Sequence, residues 1–150
     1  MATVEMIVGA AMVLTGMKKG EYAITVNARK DAPESFIEAC TNLLIKNYVP
    51  PDFLLRNIVQ EAKTYNEALK MLNSTNIAAS MYYTISGKEN FEGAVLERNP
   101  TSIHAFYAIN STNWFLVQTN YDRDRPGKII FISYILFCLK KNILINRSLA

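Results

Sequence analysis

The spacing of apolar residues changes twice along this chain, and these changes limit the folds that it can adopt. Near Tyr22, Ile24 and Val26 apolar side chains alternate with polar ones, as in a strand. Between about residues 33 and 73 the apolar residues have helical spacing, and from Ile77 onward they again occupy every second position. Strands, then helices, then strands joined by short turns predict an α+β fold with a mainly antiparallel sheet.

The strands are predicted to form two hairpins. In the first, the apolar segment 8–14 leads into a turn at 16–20 and then into the alternating segment, because glycine and lysine cluster between the two apolar runs. In the second, residues 103–109 are predicted to pair with residues 114–119 across the Asn-Ser-Thr-Asn sequence at 110–113.

The helical block divides into three predicted helices. The first begins near Pro33, since proline suits the first turn of a helix. The second follows a pair of prolines, and the third starts at Thr64 with Glu67 at the capping-box spacing. Cys40 lies on the apolar side of the first helix, so we interpret it as a core thiol.

The net charge of +3 comes from the end of the chain. Residues 128–150 hold four of the 16 basic side chains and no acidic one, which leaves 12 basic against 13 acidic side chains in residues 1–127. The bulk of the chain is therefore close to neutral. This removes the usual electrostatic argument for a nucleic acid or an anionic membrane as a partner, and no nucleic-acid partner is expected.

Metal and cofactor sites are not expected. Cys40, Cys138 and the single histidine, His104, cannot by themselves build a four-ligand structural zinc site. The chain has no glycine-rich phosphate loop and no Gly-x-Ser-x-Gly sequence. Since His104 lies in an alternating segment, we interpret it as a structural residue rather than part of a Ser-His-Asp triad.

The last 23 residues, 128–150, form an apolar tail with its own composition. Their apolar run is too short for a helix that spans a bilayer, so a membrane anchor is not favoured. Gly127-Lys128 is what a splice donor encodes when it is read through, and one hypothesis is that the tail is translated intron. The alternative is a genuine buried terminal strand.

Four motifs in fixed order carry a specific resemblance. They are Leu-Thr-Gly-Met-Lys-Lys-Gly at 14–20, Ile-Thr-Val-Asn-Ala-Arg at 24–29, Phe-Leu-Leu-Arg at 53–56 and Val-Gln-Thr-Asn-Tyr-Asp-Arg at 117–123. Across residues 3–125 the chain resembles the β-subunit of the acid ceramidase and N-acylethanolamine acid amidase family. The combination is more specific than any one motif.

The resemblance implies an N-terminal-nucleophile hydrolase, a sandwich of αββα architecture with mainly antiparallel sheets. In this family a secreted proenzyme cleaves itself and works in the lysosome, where a cysteine attacks the amide of an N-acyl lipid and forms an acyl-enzyme. The implied substrate is N-acyl sphingosine (ceramide), with N-acylethanolamine as the alternative. The implied partners are the lipid, the α-subunit and, transiently, a membrane surface.

The resemblance also assigns candidate site residues. Asn120 matches the family's Asn-Tyr-Asp motif and is expected to stabilise the oxyanion through its side-chain amide. Asn27 and Arg29 are candidates for positioning, and the backbone N–H of Met17 is a candidate second oxyanion donor. Asp122 is expected to hold the loop that follows.

Two departures from the family pattern limit these expectations. Ala28 stands where the family has a glutamate, and a methyl group cannot accept a proton. The nucleophile cysteine would lie before Met1, and Cys40 does not replace it. Residues 1–127 are therefore expected to form an incomplete amidase domain that is inactive alone. The alternative is a catalytically dead relative that binds acyl lipids or a partner protein.

Asn-x-Ser/Thr triplets occur at Asn73 and Asn110, and again at Asn146. Such triplets are acceptors for N-glycosylation on secreted proteins, although they also arise by chance. We expect Asn73 and Asn110 to be glycosylated, which suits a lysosomal protein.

Overall fold

A computed structural model describes residues 1–6, 13–124, 132–139 and 142–146. The elements in these ranges are β1 (Ala2–Met6), β2 (Val13–Lys18), β3 (Tyr22–Ala28), α1 (Phe36–Leu44), α2 (Pro51–Glu61), α3 (Tyr65–Ser74), β4 (Met81–Gly87), β5 (Gly93–Arg98), β6 (Ile103–Ala108), β7 (Phe115–Thr119), β8 (Ile132–Leu139) and β9 (Asn142–Asn146).

The strands form two antiparallel sheets. One has six strands in the order β1-β2-β3-β4-β5-β6, and the other has three in the order β7-β8-β9. The three helices lie together in the chain between β3 and β4. The predicted α+β class, the antiparallel sheets and the helical block are confirmed.

The main core lies between the six-stranded sheet and the helices. Val26, Tyr83 and Leu96 are paired across β3, β4 and β5, so their side chains point to the same face of the sheet. They are buried in one cluster with the apolar side of α2 and α3. A β-carbon on Gly16 of β2 would overlap with Cγ2 of Val59, so glycine allows α2 to approach the sheet closely.

A smaller core lies on the opposite face of the same sheet. Val95 is the neighbour of Leu96 along β5, so its side chain points to the opposite face, away from the helices. It packs with Ile109, Tyr107 and with Leu116 of β7. Helices, six-stranded sheet and second sheet thus form successive layers, and the second face of the large sheet meets β7.

The boundaries of the first predicted hairpin were wrong. β2 extends to Lys18, so Gly16 and Met17 lie within a strand, and Gly16 is paired with Ile24 of β3. The turn is shorter than predicted, and within it Gly20 adopts a φ of 76°, which glycine tolerates readily. The segment 7–12, inside the predicted first strand, lies outside the described residues.

The predicted pairing of the second hairpin was also wrong. Among the strands that the structure describes, β6 pairs with β5 alone, whereas β7 pairs with β8 of the other sheet. The side-chain oxygen of Asn110 accepts hydrogen bonds from the backbone N–H groups of Thr112 and Asn113, at 2.9 and 2.8 Å. This turn carries the chain from one sheet to the other. A short polar turn is compatible with a hairpin and with a crossing between sheets, so the turn residues alone did not distinguish the two.

The first helix begins at Phe36, three residues later than predicted. Ser35 is its N-cap: the Ser35 hydroxyl accepts from the backbone N–H of Glu38 at 3.2 Å, and the Glu38 carboxylate accepts from the backbone N–H of Ser35 at 2.7 Å. This reciprocal capping box outweighs the preference of proline for the first turn.

The apolar side of α1 faces away from the described core. The side chains of Phe36, Ile37 and Leu44 are 84%, 76% and 75% exposed. Asn42 is the buried residue of this helix, and its side-chain nitrogen donates to the carbonyl of Ala78 at 3.2 Å. The prediction that Cys40 is a core thiol was wrong, because Cys40 is only half-buried.

No helix in the described ranges is both long enough and apolar enough to cross a lipid bilayer.

Candidate active site

The ends of β3 and β7 meet through two asparagine side chains. The side-chain nitrogen of Asn120 donates to the side-chain oxygen of Asn27 at 3.1 Å and to the carbonyl of Ala28 at 3.0 Å. The backbone N–H of Lys30 donates to the carbonyl of Asn120 at 2.9 Å. Residues 93 positions apart are thus joined where the two sheets approach each other.

The two amides play different parts in this contact. The side-chain oxygen of Asn27 accepts from Asn120 and from the backbone N–H of Ala28, which fixes the orientation of the Asn27 amide. Its nitrogen Nδ2 is buried and has no hydrogen-bond partner among the described residues. Asn27 therefore holds a buried, unused N–H donor, and Asn120 orients it. A neutral amide of this kind can donate to a developing oxyanion.

A buried ion pair lies next to the asparagines. Arg29 donates to Asp122 through two parallel hydrogen bonds, Nε to Oδ1 and Nη2 to Oδ2, both 2.7 Å long. The Arg29 and Asp122 side chains are only 2% and 4% exposed. The third guanidinium nitrogen, Nη1, donates to the side-chain oxygen of Asn99 at 2.6 Å. The pair therefore ties the residues after β3 to those after β7.

Burial and pairing act in opposite directions on this ion pair. Burial alone would raise the pKa of Asp122, but hydrogen bonds from Arg29 and Tyr82, together with the charge of Arg29, hold it below its ordinary value. Likewise, burial would lower the pKa of Arg29, and Asp122 raises it instead. Both side chains are therefore charged at neutral pH.

Two further residues of this cluster, Tyr82 and Glu97, were not predicted from the sequence. Asn27, Tyr82 and Glu97 are paired across β3, β4 and β5, so they share the face of the sheet that is turned towards β7. The Tyr82 hydroxyl donates to Oδ1 of Asp122 at 2.6 Å. Neither residue belongs to a motif. Only the register of β3, β4 and β5 shows that Tyr82 and Glu97 lie beside Asn27, and strand register cannot be predicted from a single sequence.

Glu97 is almost completely buried, and its Oε1 atom has no hydrogen-bond partner among the described residues. Burial, followed by the neighbouring charge of Asp122, raises the pKa of the Glu97 carboxyl. The imidazole of His104 lies beside this acidic pair, with Nε2 3.9 Å from Oδ2 of Asp122. The site thus contains two carboxyl groups, an imidazole and a guanidinium.

An open cavity of about 360 Å³ leads to these residues. Its lining residues are Arg29, Lys30, Asp31, Ala32, Pro33, Asn99, His104, Asp122 and Asp124. The cavity is therefore polar and carries charges of both signs close to the ion pair.

The structure does not bring every candidate residue to this cluster. Met17 is paired with Ala23, four residues before Asn27 along β3, which corresponds to roughly 13 Å at the rise of a strand. Cys40 lies on α1 and Cys138 on β8, where only the backbone is described. The candidates that do meet are Asn27, Arg29 and Asn120.

The layered α+β arrangement, with a polar cluster between two antiparallel sheets, defines the class as the N-terminal-nucleophile hydrolase fold. A solved structure described as the Caenorhabditis elegans N-acylethanolamine-hydrolyzing acid amidase ortholog matches with a TM-score of 0.62 and 26% identity. The match covers 82% of this chain and 58% of the solved chain. No family model matches the chain.

Curated sequences give the particular family. N-acylethanolamine-hydrolyzing acid amidase of Caenorhabditis elegans is 34% identical over 116 residues, which is 73% of this chain and 31% of that protein. Human acid ceramidase is 31% identical over 118 residues, 77% of this chain and 30% of that protein. The chain therefore belongs to the acid ceramidase and acid amidase family, and it is homologous to part of the length of these proteins. It spans about a third of these relatives.

Proposed function

We propose that this chain is part of an amidohydrolase that cleaves the amide bond of N-acyl lipids. The observation that carries the proposal is the contact between Asn27 and Asn120 at the junction of the two sheets. The unused N–H of Asn27, which Asn120 orients, can stabilise the negative charge that develops on the carbonyl oxygen during attack, without any change in its own charge. Arg29 and Asp122 hold the two strand ends in place and are positioning residues.

The proposal places the nucleophile outside these 150 residues. Among the described residues the contacts around Asn27 and Asn120 involve amides, carboxylates and a guanidinium, and Cys40 lies on another element. A cysteine thiolate at a newly formed N-terminus would attack the carbonyl carbon, and the acyl-enzyme would then be hydrolysed by water. The remaining partners of the chain are the rest of that enzyme and its α-subunit.

The proposed substrate is N-acyl sphingosine, cleaved to a fatty acid and sphingosine. N-acylethanolamine is the alternative, since relatives with both names match the chain at similar identity. Both substrates present the same secondary amide and differ in the amine that leaves. The proposed oxyanion donor would act on this shared amide, so it supports the reaction type equally for both substrates.

The test is to sequence the full transcript, express its complete product and assay it with both lipids. We expect fatty acid release by the complete product at acidic pH and none by the 150-residue chain alone. Activity of the chain alone would contradict the placement of the nucleophile. A folded, inactive complete product would favour the alternative of a non-catalytic lipid-binding relative, for which Ala28 is the sequence argument.

The apolar side of α1 is the proposed contact with a lipid surface. Phe36, Ile37 and Leu44 form an exposed apolar strip on a short helix, as in helices that lie at a membrane interface. We expect the paired substitution Ile37→Ser and Leu44→Ser to weaken binding to zwitterionic phospholipid vesicles about tenfold or more, because apolar area is lost from the contact. Vesicle co-sedimentation measures this.

The matched control for this prediction is Phe91→Ser. Phe91 is 51% exposed in the segment between β4 and β5, away from α1. Its substitution should leave vesicle binding unchanged. Equal losses in both variants, or no binding by the unmodified chain, would show that α1 is not the lipid contact.

The proposed location is the lysosome, reached through the secretory pathway. Asn73, in the last turn of α3, and Asn110, after β6, are both exposed, as N-glycan acceptors must be. Expression in secretory cells followed by glycosidase treatment should reduce the mass at both sites. Unmodified asparagines in a secreted, folded product would count against this route.

A further inference from the structure

Three potential metal ligands converge on the face of the large sheet that meets β7. Glu97, His104 and Asp122 each offer one ligand atom, and these atoms lie within 4.8 Å of one another. Within this group, Nε2 of His104 lies 3.9 Å from Oδ2 of Asp122. Ligands that hold one Zn²⁺ ion at about 2.0–2.2 Å are roughly 3.4 Å apart in tetrahedral geometry. A small side-chain movement would therefore complete the site.

A β-bulge brings His104 to this face. Glu97 is paired with Ala105, but the next residue, Arg98, is paired with Ile103, so His104 is the extra residue of β6. Bulges of this kind redirect a side chain. The side chain of His104 is 39% exposed, and so it has room to move towards the carboxylates.

One carboxyl group of the cluster is only partly compensated by its neighbours. Arg29 neutralises Asp122 through the paired hydrogen bonds. Glu97 is 1% exposed and forms no ion pair of this kind among the described residues: the backbone of Arg123 donates a hydrogen bond to its carboxylate, and its Oε1 atom has no hydrogen-bond partner in the same part of the chain. A buried carboxylate needs a cation, a proton or hydrogen bonds. A divalent cation between Glu97 and His104 would satisfy it.

The surroundings provide the other features of a metal site. Asp122 accepts hydrogen bonds from Arg29 and Tyr82, which would hold its carboxylate as a ligand in the way that outer-shell groups commonly do. The cavity of about 360 Å³ reaches His104 and Asp122 from solvent and would supply the entry path and open coordination positions.

We propose that Glu97, His104 and Asp122 form a binding site for one divalent transition-metal ion of the Zn²⁺ type. One imidazole nitrogen and two carboxylate oxygens are a donor set that suits zinc and related ions better than magnesium or calcium. The site shares Asp122, a positioning residue, with the proposed amidase site, but none of its three residues is assigned a contact with the scissile amide. It also differs from the four-ligand structural site considered from the sequence, because it leaves positions open.

The test uses the purified 150-residue chain, treated with a chelator and titrated with Zn²⁺ by calorimetry and with Co²⁺ by visible absorption. We expect one ion per chain, no displacement by excess Mg²⁺, and a Co²⁺ spectrum without the charge-transfer band of a thiolate ligand. His104→Ala should weaken the affinity about tenfold or more. Because His104 is the only histidine, no other imidazole can replace it.

Two variants separate metal binding from folding. Glu97→Gln keeps the shape of the side chain and should also weaken binding, whereas Cys40→Ser should leave it unchanged. The metal-free His104→Ala chain should unfold at the same temperature as the unmodified chain, since this side chain is partly exposed. Absence of binding, unchanged binding in both ligand variants, or a thiolate band would each overturn the proposal.

Discussion

Replacement of Arg29 by methionine should lower the free energy of unfolding by about 3–5 kcal/mol. Methionine fills a similar volume but leaves the Asp122 carboxylate buried, with side-chain exposure of only 4%, and without its cation. The loss is large because removing one partner of a buried pair leaves an uncompensated charge. Urea unfolding followed by circular dichroism measures the change.

The chain offers a matched control in a second ion pair. Lys88 and Glu21 form a salt bridge of 3.1 Å, with side chains 50% and 31% exposed. Lys88→Met should shift the urea midpoint little, because water screens and solvates an exposed pair. The double variant Arg29→Met, Asp122→Asn should be more stable than Arg29→Met alone, since it removes the buried charge. Equal midpoints for Arg29→Met and Lys88→Met would contradict the ion-pair argument.

Substitution of Asn120 by alanine should lower kcat of the complete amidase on the order of 10²–10³-fold. The change removes the amide that contacts Asn27 and Ala28, and with it the orientation of the unused donor on Asn27. The Asn27 donor that Asn120 orients would act on the oxyanion rather than on the bound lipid, so we expect KM to change little. Steady-state kinetics with N-acyl sphingosine and N-acylethanolamine measure the two constants separately.

Asn120→Asp and Asn113→Ala serve as controls for this prediction. Aspartate keeps the shape of the side chain but removes its N–H donors, and so it should lose as much activity as alanine. Asn113 is exposed in the turn between β6 and β7 and should be dispensable for catalysis. The oxyanion role would be refuted if Asn120→Asp kept full activity, or if the loss appeared only in KM.

Local patterns were sufficient for the helical block and for two of the candidate residues at the site. The three helices appear in the structure because their caps and apolar spacing are encoded within a few residues. Asn120 and Asn27 were identified by their motifs, and the structure brings them into contact across 93 positions. The motif did not show that Asn120 uses its amide on Asn27 and Ala28.

Other features depended on contacts that no short segment encodes. The exposed apolar side of α1 has the same sequence pattern as a buried one, because helical spacing shows which residues share a side but not what covers it. The turn after β6 could close a hairpin or cross to another sheet, and packing of Leu116 on Val95 accompanies the crossing. Met17 matched a motif, but it is paired with Ala23, four residues before Asn27 on β3, and so it lies away from the site.

The sequence by itself determined the α+β class, the three helices and the family, since periodicity, capping and motifs are local properties of the chain. Only the tertiary structure decided which polar residues share one face. Strand register aligned Asn27, Tyr82 and Glu97, and the bulge at His104 added the imidazole. A shift of one residue in any pairing would have turned these side chains to the opposite face, and register is set by packing across strands that are far apart in sequence.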